Sequence, residues 1–187
     1  MGELHQGTRI AVVGGGVAGL GLALSLHQRG IACDVYEAVP EVKELGVGIT
    51  LLPHAMRELA ALGVQSKLEA AGIENLESVF FNRYGQYIYR EPRGRHAGYP
   101  VPEVGIHRGK LHRILYEEAL ARIGPQRIHT DHRCTGVEQD VLGATVHFVD
   151  AQGSKRPSVR ADIVIACDGV NSTIRRQFYP DEKVAFA

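Results

Sequence analysis

The stretch IAVVGGGVAGLGLALSLHQRGIACDVYEA, Ile10–Ala38, decides the fold. Ile10 to Val13 is a short run of branched apolar residues, the pattern of a buried strand. Gly14-Gly15-Gly16 breaks that strand, and Val17 to Gln28 is apolar at most positions, as a buried helix would be. Gly30 supplies the helix stop. Ala32 to Glu37 reads as a second strand, so the unit is β-α-β, a crossover that implies parallel strands.

The glycines fall at Gly14-x-Gly16-x-x-Gly19, and an acid, Glu37, closes the second strand about twenty residues on. Each position has a physical reason. Gly14 permits a tight turn, Gly16 lets a pyrophosphate approach the backbone, and Gly19 lets the helix lie close to the strand. The helix start offers N–H groups and a positive dipole end to phosphates. Glu37 can accept from two ribose hydroxyls, and its charge would repel a 2′-phosphate. The bland alternative is a glycine-rich turn with no ligand, which requires three glycines and the acid to coincide by chance. The motif leaves NAD and FAD equally open.

Working outward, HAMRELAALG has helical spacing, with Met56, Leu59, Ala60 and Leu62 on one side. ESVFFNRYGQYIYREP alternates around Tyr84-Gly85 and reads as a hairpin. Tyr84, Tyr87 and Tyr89 could face a substrate, although alternation on a hairpin more commonly reflects cross-strand packing. HRGKLHRILYEEALARIG reads as a helix with Leu111, Ile114, Leu115 and Ala119 inward. From Arg127 to Val159 the sequence suggests a meander of three short strands, RIHTDHRCTGVEQ, GATVHFVDAQG and KRPSVRA. DIVIACDG is an uninterrupted apolar strand, expected to be buried on both faces. It ends in Asp168-Gly169, which should lie at the same sheet edge as the glycines, because ligands of parallel sheets bind outside the carboxyl ends of the strands. Asn171 or Ser172 would cap the helix that follows, which leaves Asp168 unexplained.

Composition narrows the function. Of 187 residues, 21 are Lys or Arg and 21 are Asp or Glu, so bulk attraction to nucleic acid or an acidic membrane is excluded. The basic patch YREPRGRHAG reads first as a solvated loop, with a phosphate contact as the lesser reading. Cys33, Cys134 and Cys167 are odd in number and far apart, against a disulfide framework and against zinc. The histidines show no paired spacing, and no metal is expected. The longest apolar stretch, Ile10–Leu26, carries five glycines and is too short for a membrane span of ~20 residues. Neither a membrane partner nor a signal peptide is expected, and the expected location is the cytoplasm.

The glycine motif, LGVGITLLPHAMREL, HRGKLHRIL and CDGVNSTIR stand in the order seen in FAD-dependent aromatic hydroxylases of the p-hydroxybenzoate hydroxylase fold. The sequence resembles these single-component flavoprotein monooxygenases over nearly all its length. EPRG, AGYP and IHRG look most like the phenazine-hydroxylating branch, with salicylate hydroxylases next. The resemblance implies an α/β fold: a Rossmann-like, three-layer FAD-binding core on a parallel sheet, with an inserted, incomplete antiparallel β segment. The FAD-binding core would comprise 1–74 and 105–187, and the substrate-domain segment 75–104.

By matching position, the resemblance implies that Gly14, Gly15, Gly16, Val17, Ala18 and Gly19 face the FAD pyrophosphate and that Glu37 binds the adenosine ribose. Lys43 would stand near the adenine half, Val47 and Gly48 where the chain passes the isoalloxazine, and Arg108 at the flavin. Asp168 and Gly169 would form the motif associated with both FAD and NAD(P)H. Ala38 replaces an arginine of several relatives, and PHA replaces the commoner PNA, with His54 read as an ordinary helix entry. The implied chemistry is hydride delivery from NAD(P)H to FAD, a flavin hydroperoxide formed with dioxygen, and oxygen transfer to an aromatic substrate. No side chain is assigned as acid or base, and a homodimer stays open. The family's later Gly-Asp motif does not occur before Ala187. The expectation is therefore a portion of a longer hydroxylase, inactive alone. The alternatives are another FAD-dependent dehydrogenase or reductase, or a non-catalytic FAD-binding fragment.

Overall fold

The computed structural model describes residues 7–41 and 46–182. The chain divides into two compact units, Met1–Val42 with Tyr116–Ala187, and Lys43–Leu115.

The first unit is built on a parallel sheet. Strands β1 (Ile10–Val13) and β2 (Asp34–Tyr36) flank helix α1 (Val17–Gln28), as the glycine-bounded pattern predicts. Two more parallel strands join them, β8 (Ile128–His129) beside β2 and β12 (Ile163–Ala166) beside β1, in the order β12-β1-β2-β8. All of β1 is buried, and its side chains divide by strand alternation. Ile10 and Val12 pack with Ala23 of α1, Cys33 and Val35. Ala11 and Val13 face the other way, into a cluster with Tyr36, Val137, Val146, Phe148 and Ile174. That second cluster joins the parallel sheet to an antiparallel one of order β11-β10-β9, where β9 is Arg133–Asp140, β10 is Gly143–Val149 and β11 is Lys155–Ala161. In β10, Ala144, Val146 and Phe148 are buried in strict alternation. The unit is thus three layers, helix, parallel sheet and antiparallel sheet, and helix α5 (Thr173–Phe178) closes against β9 by a paired bond between Gln177 and the Val137 backbone.

Two expectations are corrected here. RIHTDHRCTGVEQ is not one strand of a meander. It breaks at Asp131, which holds φ +59, so that Ile128–His129 joins the parallel sheet and only Arg133–Asp140 joins the antiparallel one. Asp tolerates this left-handed conformation better than most residues, and its carboxylate locks the turn by accepting from Ala151 N–H and Arg156. The second correction concerns DIVIACDG. β12 is not buried on both faces: Ile163 is 37% exposed and Ala166 is exposed, because among the described residues β12 pairs with β1 alone. An apolar strand is buried only by the neighbours it has.

The second unit holds a three-stranded antiparallel sheet of order β3-β7-β4, formed by β3 (Gly48–Leu51), β7 (Val104–His107) and β4 (Ile73–Glu74). Helices α2 (Pro53–Ala61) and α3 (Gln65–Ala71) bury Met56 and Leu68, and α4 (Arg108–Ile123), which begins in this unit, buries Leu111 and Leu115. Pro53 sits in the first turn of α2, where its missing N–H costs nothing, and His54 is exposed there. The expected hairpin is present as β5 (Glu77–Phe81) and β6 (Tyr87–Pro92), a sheet of two strands. Its aromatics pack across strands, Phe80 stacked on Tyr89 at 4.6 Å and Phe81 edge-on to Tyr87, yet all four stay exposed. The arginines of YREPRGRHAG are matched by acids: Arg90 with Glu77, Arg93 with Glu91, and Arg95 with Glu69 and Glu74.

Candidate functional site: a glycine-lined cavity at the sheet edge

Parallel register brings the sequence motifs to one level. Val13 is opposite both Tyr36 and Ala166, so the residues that follow, Gly14, Glu37 and Cys167, leave the sheet together. Gly14 N–H donates to Tyr36 O at 2.8 Å, and Cys167 N–H donates to Val13 O at 2.7 Å. Between these strand ends lies a cavity of about 520 Å³, lined by Gly14, Gly16, Glu37, Asp168 and Gly169 among others.

The three motif glycines do three different things. Gly14 has φ +108, and a Cβ there would lie 2.3 Å from Cys167 O, so only glycine lets the β1 turn pass the end of β12. At Gly19 a Cβ would lie 1.9 Å from Gly14 O, which fixes how closely α1 approaches the turn. Gly16 is unlike both: a Cβ there meets nothing within 4 Å, because that side opens on the cavity. Gly16 is also the N-cap of α1, and no side chain caps it. The helix therefore starts at the cavity wall with no cap from its N-cap residue, although of the turn only Gly14 and Gly16 line the cavity and Gly15, Val17, Ala18 and Gly19 stand behind them.

Glu37 is held in place before any ligand arrives. Its Oε2 accepts from Gly15 N–H at 2.6 Å and its Oε1 from Val39 N–H at 2.9 Å. Backbone bonds from Glu37 N–H to His129 O and from His132 N–H to Glu37 O extend the β2–β8 pairing around it. Each carboxylate oxygen has a second lone pair, so capacity to accept from hydroxyls remains. Asp168 answers the question left by the sequence. Its carboxylate accepts from Ser172 Oγ at 2.6 Å, Thr173 N–H at 2.7 Å and Ile174 N–H at 3.3 Å, while Ser172 Oγ accepts from Arg175 N–H. Two side chains share the start of α5, where the sequence suggested one.

The cavity also takes in Ala38, already noted beside Glu37, and Tyr36, His132, Arg133, Cys134 and Arg176, none of which the motifs singled out. Tyr36 stacks between His129 at 4.7 Å and Phe148 at 5.0 Å, and burial, with Asp34 nearby, pushes its hydroxyl up to about 12. Burial raises the Cys134 and Cys167 thiols, with Asp168 adding to both, so neither is a poised thiolate. His132 to Cys134 reach the site through tertiary folding from almost a hundred residues downstream, and no local spacing signals that.

Val47, Gly48 and Arg108 belong to the second unit. There Arg108 N–H donates to Val47 O at 3.0 Å, and Val47 is 73% exposed. Lys43 lies outside the described residues. Among the described residues no cluster of His, Cys, Asp and Glu could hold a metal, and no helix is long and apolar enough to cross a membrane.

The family described as FAD binding domain matches residues 7–181. The chain belongs to that family. The phenazine 1,6-dicarboxylic acid hydroxylase PhzS of Lysobacter antibioticus is 35% identical over 176 residues, 93% of this chain and 43% of that protein. The 3-hydroxybenzoate 6-hydroxylase of Polaromonas naphthalenivorans (strain CJ2) is 34% identical over 175 residues, 92% of this chain and 42% of that protein. The crystal structure of Klebsiella pneumoniae HpxO complexed with FAD and uric acid is similar at TM-score 0.75 and 30% identity, covering 92% of this chain and 42% of that one. The chain spans less than half the length of these relatives. FAD is thus the dinucleotide that the glycine motif alone could not choose. The cavity fits its diphosphate: a glycine wall with room at Gly16, uncapped helix amides, and a pre-set acid one strand away.

Proposed function

We propose that this FAD-binding chain serves a flavin-dependent monooxygenase that uses NAD(P)H and dioxygen to hydroxylate an aromatic compound. Gly14, Gly15, Gly16, Val17, Ala18 and Gly19 hold the pyrophosphate, the N–H groups of α1 pointing at its oxygens. Glu37 takes the adenosine ribose. Asp168 fixes α5 and so shapes the cavity wall, with Gly169 giving the backbone close approach. Val47, Gly48 and Arg108 take the flavin end, Lys43 the adenine side. Bound FAD supplies the redox chemistry, accepting hydride and activating dioxygen. The chain's own share is to bind, orient and keep the cofactor in one place. The segment 75–104, with its exposed aromatic hairpin, belongs to the substrate side. The cytoplasm is the proposed location, consistent with three free cysteines.

The observation that carries this reading is the open side of Gly16 on a cavity that also holds Glu37 and Asp168, in a chain of the FAD binding domain family. The test is made in two steps. The purified protein is scanned for flavin absorbance. NAD(P)H oxidation is then followed with a panel of phenolic and phenazine carboxylic acids, using a full-length protein that contains this chain, with products identified by mass. Substrate-stimulated oxidation with a gain of one oxygen supports the proposal. Oxidation without oxygen gain indicates a dehydrogenase or reductase instead.

A further inference from the structure

β7 turns into α4 without a linker, His107 ending the strand and Arg108 opening the helix. Such a joint creates two polar problems. The first amides of the helix have no intrahelical acceptor. The neighbouring strand β3 reaches the end of its ladder at the Gly48–His107 pair, and the chain before it, Gly46–Val47, runs past that end. The His107 ring addresses both. Its Nδ1 accepts from Gly109 N–H at 3.2 Å, and its Nε2 lies 3.0 Å from Gly46 O. These partners fix the tautomer. A backbone N–H only donates, so Nδ1 carries the lone pair, and a carbonyl only accepts, so Nε2 carries the proton. Two further observations show how closely the segments run. Arg108 N–H donates to Val47 O, and Gly46, at φ +137, leaves only 3.1 Å between an added Cβ and the Arg108 Cβ.

We propose that His107 is a positioning residue for the flavin end of the cofactor: one imidazole ties the Gly46–Val47–Gly48 segment to the start of α4 and so sets it against Arg108. The inference rests on the reading that puts Val47, Gly48 and Arg108 at the flavin. It predicts a division of labour. His107 matters for the flavin half of FAD and not for the adenosine diphosphate half, whose cavity lies in the other unit.

The two ring nitrogens can be separated by substitution. Asn carries an acceptor near the place of Nδ1 and is a favoured N-cap, but it is too short to reach Gly46 O. Gln carries an amide N–H₂ near the depth of Nε2 and can donate to Gly46 O. His107→Asn therefore keeps the helix start and releases the segment, whereas His107→Gln keeps the segment tied.

FAD and ADP are titrated into the parent chain and both variants, with the absorbance and fluorescence of bound flavin recorded. In His107→Asn, ADP affinity is expected to stay within about twofold of the parent, while FAD affinity falls about tenfold, the worth of one lost hydrogen bond, and the flavin band moves toward that of free FAD. In His107→Gln, FAD affinity should return to within roughly threefold of the parent. Parent-like FAD binding and flavin spectrum in His107→Asn would overturn the proposal. So would equal loss of ADP and FAD in both variants, which would mark a general structural role. Gly48→Val, where an added Cβ meets nothing within 4 Å, separates the proposal from the reading beneath it. If it disturbs bound flavin while the His107 variants do not, the placement stands and the role of His107 falls. If it leaves bound flavin unchanged, the placement itself fails and takes the proposal with it.

Discussion

Two glycines of one motif, three residues apart, should fail in opposite ways. At Gly19 an added Cβ would lie 1.9 Å from Gly14 O and 3.4 Å from Cys167 Cβ. The first contact is backbone and cannot rotate away, so α1 has to move off the turn by about an ångström in a sheet-and-helix layer that is otherwise closely packed. Overpacking of this kind costs roughly 1–3 kcal/mol, and the backbone clash puts Gly19→Ala at the upper end. For a chain of this size that lowers Tm by about 6–12 °C. At Gly16 the added atoms meet no protein, and the backbone is ordinary, with φ −75°. Gly16→Val forfeits only a favoured N-cap residue, about 1 kcal/mol or less, or roughly 2–4 °C. Its isopropyl group instead occupies cavity space, so FAD binding should be lost from a folded protein. Thermal melts by circular dichroism and FAD titration by fluorescence test both variants side by side. A Tm for Gly16→Val as low as that of Gly19→Ala would refute the geometric distinction. Parent-like FAD affinity in Gly16→Val would refute the phosphate role of the loop.

Glu37→Gln replaces one of two acceptors with an N–H₂ that faces a backbone N–H from Gly15 or Val39, so stability should fall by about 1–3 kcal/mol in urea titration, with weaker binding of both FAD and AMP. Ser172→Ala removes the acceptor for Arg175 N–H and the donor to Asp168, and should cost about 1–2 kcal/mol, with faster amide exchange at the start of α5. Asp131 and Asp140 are held below the usual carboxyl range by hydrogen bonds from Arg156 and Arg160 respectively, and Glu69 by one from Gln65 and then by Arg95. Because their folded values are depressed, these groups contribute stability that is present above about pH 4 and is lost as pH falls through the folded values. Urea midpoints measured between pH 7 and pH 2.5 should therefore drop on the acid side, and less steeply in Asp131→Asn.

Much of the site was legible because one short segment carries it. Strand, turn, helix and acid lie within Ile10–Ala38; Gly19 is dictated by a contact inside the motif, with Gly14 O, Gly16 by the open side it leaves, and only Gly14 by a distant partner, Cys167. What escaped notice depends on distant partners. The apolar run Ile163–Ala166 looks buried from its composition, but burial of a strand is conferred by its neighbours, and among the described residues β12 pairs with β1 alone. The break at Asp131 is a single positive φ, enforced by Arg156 from another hairpin. Asp168 looked unexplained because its bonds to Thr173 and Ile174 form only once α5 turns back over it. His132 and Arg133 line the cavity through the pairing of β8 with β2, a two-residue strand too short for any periodicity to show.

The central claim is that FAD sits with its diphosphate on the Gly14–Gly19 turn. Amide proton–nitrogen spectra of the labelled chain, recorded while FAD is added, test it most directly. Binding at this cavity should shift the N–H signals of Gly15 to Gly19 most strongly, with Glu37, Ala38 and the Asp168–Gly169 pair following at the same saturation point. Saturable FAD binding that leaves the Gly15–Gly19 signals unmoved would contradict the claim.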